Sequence, residues 1–189
     1  MDPQTFQRAG EALRLVKEIS RALNDPIETS SLLDLIVDRA LRHTRAERGF
    51  LVLKEPSGAI EILAARQFNR VQIENPSFKV SRGVIEEVLR TAQPVILENA
   101  QDDPLFTSHQ SVMLNKPLSL ACLPLRLKGQ VAGVLYLDSR LRAGLFTPGD
   151  TVVLEIFTDL AAAAVQIARL SVRARLGEGT APAAGNAAT

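Results

Sequence analysis

Two apolar runs separated by two residues, SLACLPLRL (119–127) and QVAGVLYLD (130–138), constrain this chain more than any other feature. Each has the length of a strand and is rich in Leu and Val. Lys128-Gly129 leaves room only for a tight reversal, so the runs are predicted to form an antiparallel hairpin. Thr147-Pro148-Gly149-Asp150 follows as a helix-start signature. Thr caps, Pro takes the first helical position and Asp sits three residues after the cap. Nothing in residues 116–150 is equipped for bond-making chemistry.

The flanking sequence alternates helices and strands. Phe6, Ala9, Leu13, Val16, Ser20 and Leu23 recur at helical spacing, and Asn24-Asp25-Pro26 ends that helix. A second helix is expected over 30–44, capped by Thr29, Ser30 or Ser31, with Ser31 and Asp34 spaced as a capping box. GFLVLKE (49–55) and AIEILAAR (59–66) read as strands joined through Pro56-Ser57-Gly58. Residues 68–80 read as a loop, 81–91 as a helix and PVILEN (94–99) as a short strand. Asp103-Pro104 starts a short helix, and a last helix runs from Thr147 to about Leu176. The expected division is an amphipathic helix at 1–24, a domain at 25–176 and a tail at 177–189. That tail, GEGTAPAAGNAAT, has too little apolar surface to offset its ordering entropy and is expected to be disordered.

Charge and cysteine usage narrow the function classes. Lys and Arg number 22 against 21 Asp and Glu, so no global field draws nucleic acid or a membrane surface. Arg39, Arg42, Arg45 and Arg48 form a basic run without interleaved aromatics, which reads as a solvated helix end. The single Cys122 excludes an intrachain disulfide, and with only His43 and His109 beside it no structural zinc site is expected. One buried thiol fits a reducing cytoplasm. The N-terminus lacks a signal-peptide pattern, and LAAAAVQIA is too short to span a bilayer. The chain is therefore expected to be cytoplasmic, with no nucleic-acid and no membrane partner.

The element order gives an α+β fold with an antiparallel sheet. On LDLIVDRALRHTRAERGFLVL (33–53), RGVIEEVLRTAQPVILEN (82–99), AQDDPLF (100–106), the 119–138 hairpin and FTPGDTVVLEIFTDLAAAAVQIARL (146–170), the chain resembles a GAF domain. It is most similar in character to bacterial GAF modules of enhancer-binding activators and sensor kinases. The resemblance implies a central antiparallel sheet of five or six strands. The N- and C-terminal helices would cover one face, and short helices and loops would roof the other. It also implies a regulatory rather than a catalytic protein, with any small-molecule ligand seated beneath the roof.

Carried onto this sequence, that pocket is either a ligand site lined from Phe68, Arg82, Phe106, His109, Cys122 and Tyr136, or a cavity filled by side chains. Leu118, Leu120, Leu123 and Leu125 suit the second alternative. Bilin-binding members attach the chromophore in a Cys-His context, whereas Cys122 precedes Leu123. Sulfoxide-reducing members use several cysteines, and this chain has one. Members that bind cyclic nucleotides carry Asn-Lys-Phe-Asp-Glu; here Asn115-Lys116 leads into Pro117-Leu118-Ser119. No metal, bilin or haem signature is present. Asp103 is explained by capping, and adjacent Glu86 and Glu87 point apart on a helix, so neither makes an acid–base pair. Arg82, at a helix start, reads first as an ordinary solvated side chain and only second as an anion-binding candidate.

The last helix is apolar over two stripes. Val153, Ile156, Leu160, Ala163, Ile167 and Leu170 form one; Leu154, Phe157, Ala161, Ala164 and Ala168 form the other. The sheet covers one. The other is expected to meet the 6–23 helix or a second subunit, giving a homodimer through Leu13, Val16, Val153, Leu160, Ala163, Ile167 and Leu170. The functional expectation is a non-catalytic module that senses a small molecule or relays a signal to a protein partner. The alternative is a ligand-free adaptor with a filled pocket.

Overall fold

A computed structural model describes residues 28–76, 80–100 and 117–175, with side chains to 170, and the helical positions Gly10, Arg14, Lys17 and Arg21. Leu13, Val16, the helix expected after Asp103 with Phe106 and His109, and the 177–189 tail lie outside the described residues. The elements run α1 (Thr29–Thr44), β1 (Arg48–Lys54), β2 (Ile60–Gln67), α2 (Arg82–Thr91), β3 (Val95–Leu97), β4 (Ser119–Leu127), β5 (Gln130–Ser139), a 3₁₀ turn (Pro148–Asp150) and α3 (Thr151–Arg175). Five strands form one antiparallel sheet in the order β2-β1-β5-β4-β3.

Alternation along the strands sorts side chains to two faces. Leu51, Leu53, Leu123, Leu125, Leu135 and Leu137 point to one face, where α1 and α3 bury Ile36, Val37, Leu41, Leu154 and Phe157 against them. Phe50, Val52, Leu120, Cys122, Val134 and Tyr136 point to the other, beneath Val84, Ile85 and Val88 of α2. We call these the helix face and the roof face. Two glycines permit close approach, Gly133 between neighbouring strands β5 and β1 and Gly49 between the sheet and α1. A Cβ on Gly133 would stand 2.0 Å from the Val52 carbonyl oxygen, and one on Gly49 would stand 2.7 Å from Val37 Cγ1 of α1.

The β4–β5 hairpin takes the predicted form. Lys128 (φ 51°) and Gly129 (φ 80°) both adopt the left-handed region that such a two-residue turn requires. The capping box before α3 is also present, with the Thr147 amide donating to Asp150 Oδ2 at 2.8 Å.

Three local expectations are corrected. Helix α1 starts at Thr29 with Glu28 as N-cap and no side-chain capping bond. Asp34 does not close a box with Ser31, because its carboxylate faces Arg66 Nη1 at 3.5 Å and Gln72 Nε2 at 3.4 Å. Strand β3 is shorter than PVILEN. Continuing its register would set Pro94 opposite Leu123 and Gln93 opposite Pro124, and proline has no N–H for the ladder. At its other end the Glu98 carbonyl accepts the Gly144 amide at 2.7 Å. The expectation for LAAAAVQIA concerns that short run alone; the longer stretch Pro148–Leu170 is long and apolar enough to cross a membrane by length and composition. Its inward stripe, Leu154, Phe157, Ala161 and Ala164, is buried in the helix-face core.

Candidate functional site

The roof face carries the side chains most unlike a plain aliphatic core. Cys122 and Tyr136 are opposite one another in the β4–β5 ladder, and Phe50 is opposite Tyr136 from β1. The Phe50 and Tyr136 rings meet edge to face, with centroids 5.8 Å apart and planes at 74°. All three residues are fully buried.

A polar chain starts at the Tyr136 hydroxyl. It donates to Asp138 Oδ2 at 3.2 Å, and the Ser81 amide, at the N-cap of α2, donates to the hydroxyl oxygen at 3.4 Å. Asp138 is gripped by both arms of Arg48, Nε to Oδ1 at 2.8 Å and Nη2 to Oδ2 at 2.5 Å. Burial pushes the Asp138 carboxyl above its ordinary value; Arg48 and the Tyr136 hydroxyl pull it back only in part. Burial drives the Tyr136 phenol well up, reinforced by the Asp138 charge. Just outside, Arg140 grips Glu47 through its backbone amide (3.0 Å) and its guanidinium. Burial pushes the Glu47 carboxyl up, but these bonds outweigh it and leave the group below its ordinary value.

Arg48 corrects the reading of the basic run. It is 3% exposed and opens β1, not a solvated helix end. The run's three-residue spacing continues a helix that stops at Thr44, where Arg45 turns left-handed at φ 60°. A sequence signal existed: Asp138 is the sole charged residue of QVAGVLYLD, so a buried carboxylate asked for a buried cation.

Of the six proposed lining residues, Cys122 and Tyr136 come together. Phe68 lies just past β2 and is 55% exposed, and Arg82 is exposed at the first position of α2. Phe106 and His109 lie outside the described residues. The arrangement holds no poised nucleophile: burial pushes the Cys122 thiol far up, which suppresses the reactive thiolate. Among the described residues no three metal-ligating side chains converge. The polar chain is built to hold positions: it ties the start of α2 to β5 and β1.

The second candidate is the outer stripe of α3. Val153, Leu160 and Ala163 are partly buried, while Ile167 (47%) and Leu170 (64%) are exposed beside Val152 (68%). The inward stripe is therefore fully covered, Val153 and Leu160 of the outer one pack at the edge of the core, and Ile167 and Leu170 at its C-terminal end are left in contact with solvent.

The profile of the GAF domain family matches residues 28–165. This chain belongs to the GAF domain family. The GAF domain is similar to a Nif-specific regulatory protein from Herbaspirillum seropedicae, 22% identical over 123 residues, covering 64% of this chain and 23% of that protein. It is also similar to hybrid signal transduction histidine kinase G from Dictyostelium discoideum, 28% identical over 115 residues, covering 57% of this chain and 3% of that protein. In fold, the GAF domain of a phosphoenolpyruvate-protein phosphotransferase from Acinetobacter superposes with a TM-score of 0.65 at 17% identity, over 90% of this chain and 97% of that one. The chain spans less than a quarter of either regulatory relative. GAF domains of this kind occur in regulatory and sensor proteins.

Proposed function

We propose that this GAF domain is non-catalytic, pairs with a second copy of itself along α3 and relays a signal through that helix. The observation that carries the reading is the outer stripe of α3. Ile167 and Leu170 remain exposed on a helix whose opposite side is locked into the core. Ala163 near the middle of the stripe gives a second helix room for close approach. A surface helix with no apolar neighbour on that side would normally carry charge there. The direct test is sedimentation velocity on Ile167→Glu/Leu170→Glu. Both side chains are exposed, whereas Leu160 packs against the helix-face core and its loss would confound the result. The reading expects a dimer that becomes a folded monomer; an unchanged sedimentation coefficient overturns it.

Small-molecule sensing beneath the roof is the finer part of the proposal. The adaptor reading draws support from the packing there: Phe50, Cys122, Val134 and Tyr136 fill the space under α2 with no exposed surface. Thermal shift against a metabolite panel separates the two. A native-state ligand at a hundred times its dissociation constant adds about 2.7 kcal/mol.

A further inference from the structure

At the turn end of the sheet, on the side opposite the Arg48–Asp138 pair, a cavity of about 430 Å³ opens between the end of β1, the β4–β5 turn and the last described turns of α3. Its floor is apolar, with Leu127 buried and Val131 and Ala132 half-buried. Three cations from three separate segments stand around it: Lys54, Lys128 and Arg169. Elsewhere Arg48, Arg66, Arg90 and Arg140 each face a carboxylate. None of the cavity's three cations forms an ion pair among the described residues. The lining acid, Glu55, accepts a hydrogen bond from Ser57 Oγ at 3.1 Å within its own turn.

We propose that this cavity binds a small organic dianion, a phosphate monoester with a compact apolar body. The cations would gather the charged group, Arg169 offering the planar fork that matches phosphate oxygens. The apolar body would lie on Leu127, Val131 and Ala132. The Gln130 and Gln166 amides, also in the lining, supply neutral hydrogen bonds. A volume of about 430 Å³ is in the range of small-molecule sites and too small for a folded partner. This site is separate from the roof; it borders the α3 pairing surface at Leu170, which lines both.

The test is amide-resolved NMR of the full chain titrated with phenyl phosphate. Phenol and inorganic phosphate each supply half of the required chemistry. Saturable shifts centred on Lys54, Gln130, Val131 and Gln166 are expected. Phenol and inorganic phosphate should each bind at least about tenfold more weakly. Lys54→Glu/Arg169→Glu alters two exposed side chains and should remove binding while the circular dichroism spectrum is kept; Lys54→Gln/Arg169→Gln should weaken it by a smaller factor. Absence of saturable shifts at these amides overturns the proposal, as does equal binding by the charge-reversed variant. Inorganic phosphate matching phenyl phosphate would reduce the site to general charge attraction and also overturn it.

Discussion

The two faces of one sheet use the same strands for different purposes. On the helix face, alternate residues of β1, β4 and β5 are leucines packed on α1 and α3, and their attraction is non-directional. On the roof face, the intervening residues include Phe50, Cys122 and Tyr136, and one end is closed by the Arg48–Asp138 pair. Each aliphatic side chain buried on the first face contributes about 1.5–3 kcal/mol. The ion pair on the second roughly offsets its own desolvation, so its use is positional. The difference teaches where information can travel. The leucine layer holds by close packing, whereas a hydrogen-bonded chain from Arg48 to the Ser81 amide fixes α2 to the sheet through directional contacts.

The largest expected effect breaks both faces at once. Gly133→Ala drives a Cβ into the Val52 carbonyl oxygen, which is backbone and cannot swing away. Urea unfolding should show a loss of about 4 kcal/mol or more. A loss below about 1 kcal/mol would mean that β1 and β5 are not so close.

Arg48→Met breaks the roof face alone. It leaves Asp138 buried without its guanidinium, at a cost of about 3 kcal/mol. Burial then holds the Asp138 carboxyl above its unfolded value with no cation to pull it down. An acid with a raised folded pKa contributes most stability below its unfolded pKa, about 3.9, and loses it as pH rises through the folded one. The variant's defect should therefore grow from acidic toward neutral pH. A defect that shrank over the same range would contradict the buried pairing.

Tyr136→Phe is a milder change on the roof face. It removes one hydroxyl, costs about 1 kcal/mol and should speed amide hydrogen exchange at Ser81 and the first turn of α2. Exchange on α1 should stay as it was. Equal acceleration on both helices would show that the chain is not specific to the roof. The smallest effect is at Cys122. Its buried thiol should resist a disulfide reagent in native protein and react on unfolding.

Local signals in the sequence reached far into this fold. The β4–β5 hairpin and the Thr147–Asp150 box were legible because strand length, a two-residue turn and a cap are decided by neighbours. The two stripes of α3 were legible from period alone, and the inward one proved to be Leu154, Phe157, Ala161 and Ala164. What escaped was set by distant partners. Arg48 and Asp138 are 90 positions apart, and a helical spacing drew Arg48 into the wrong element. Phe68 and Arg82 were carried onto the pocket by family pattern, yet both face solvent. The cations around the turn-end cavity gave no sequence signal, since only the fold brings Lys54, Lys128 and Arg169 together.

Native mass spectrometry of protein purified without added ligand, beside Ile167→Glu/Leu170→Glu, decides whether α3 pairs two copies of the chain. The natural chain should be a dimer and the variant a folded monomer. A natural chain that is monomeric at micromolar concentration, or a variant that remains dimeric, would contradict the relay through α3.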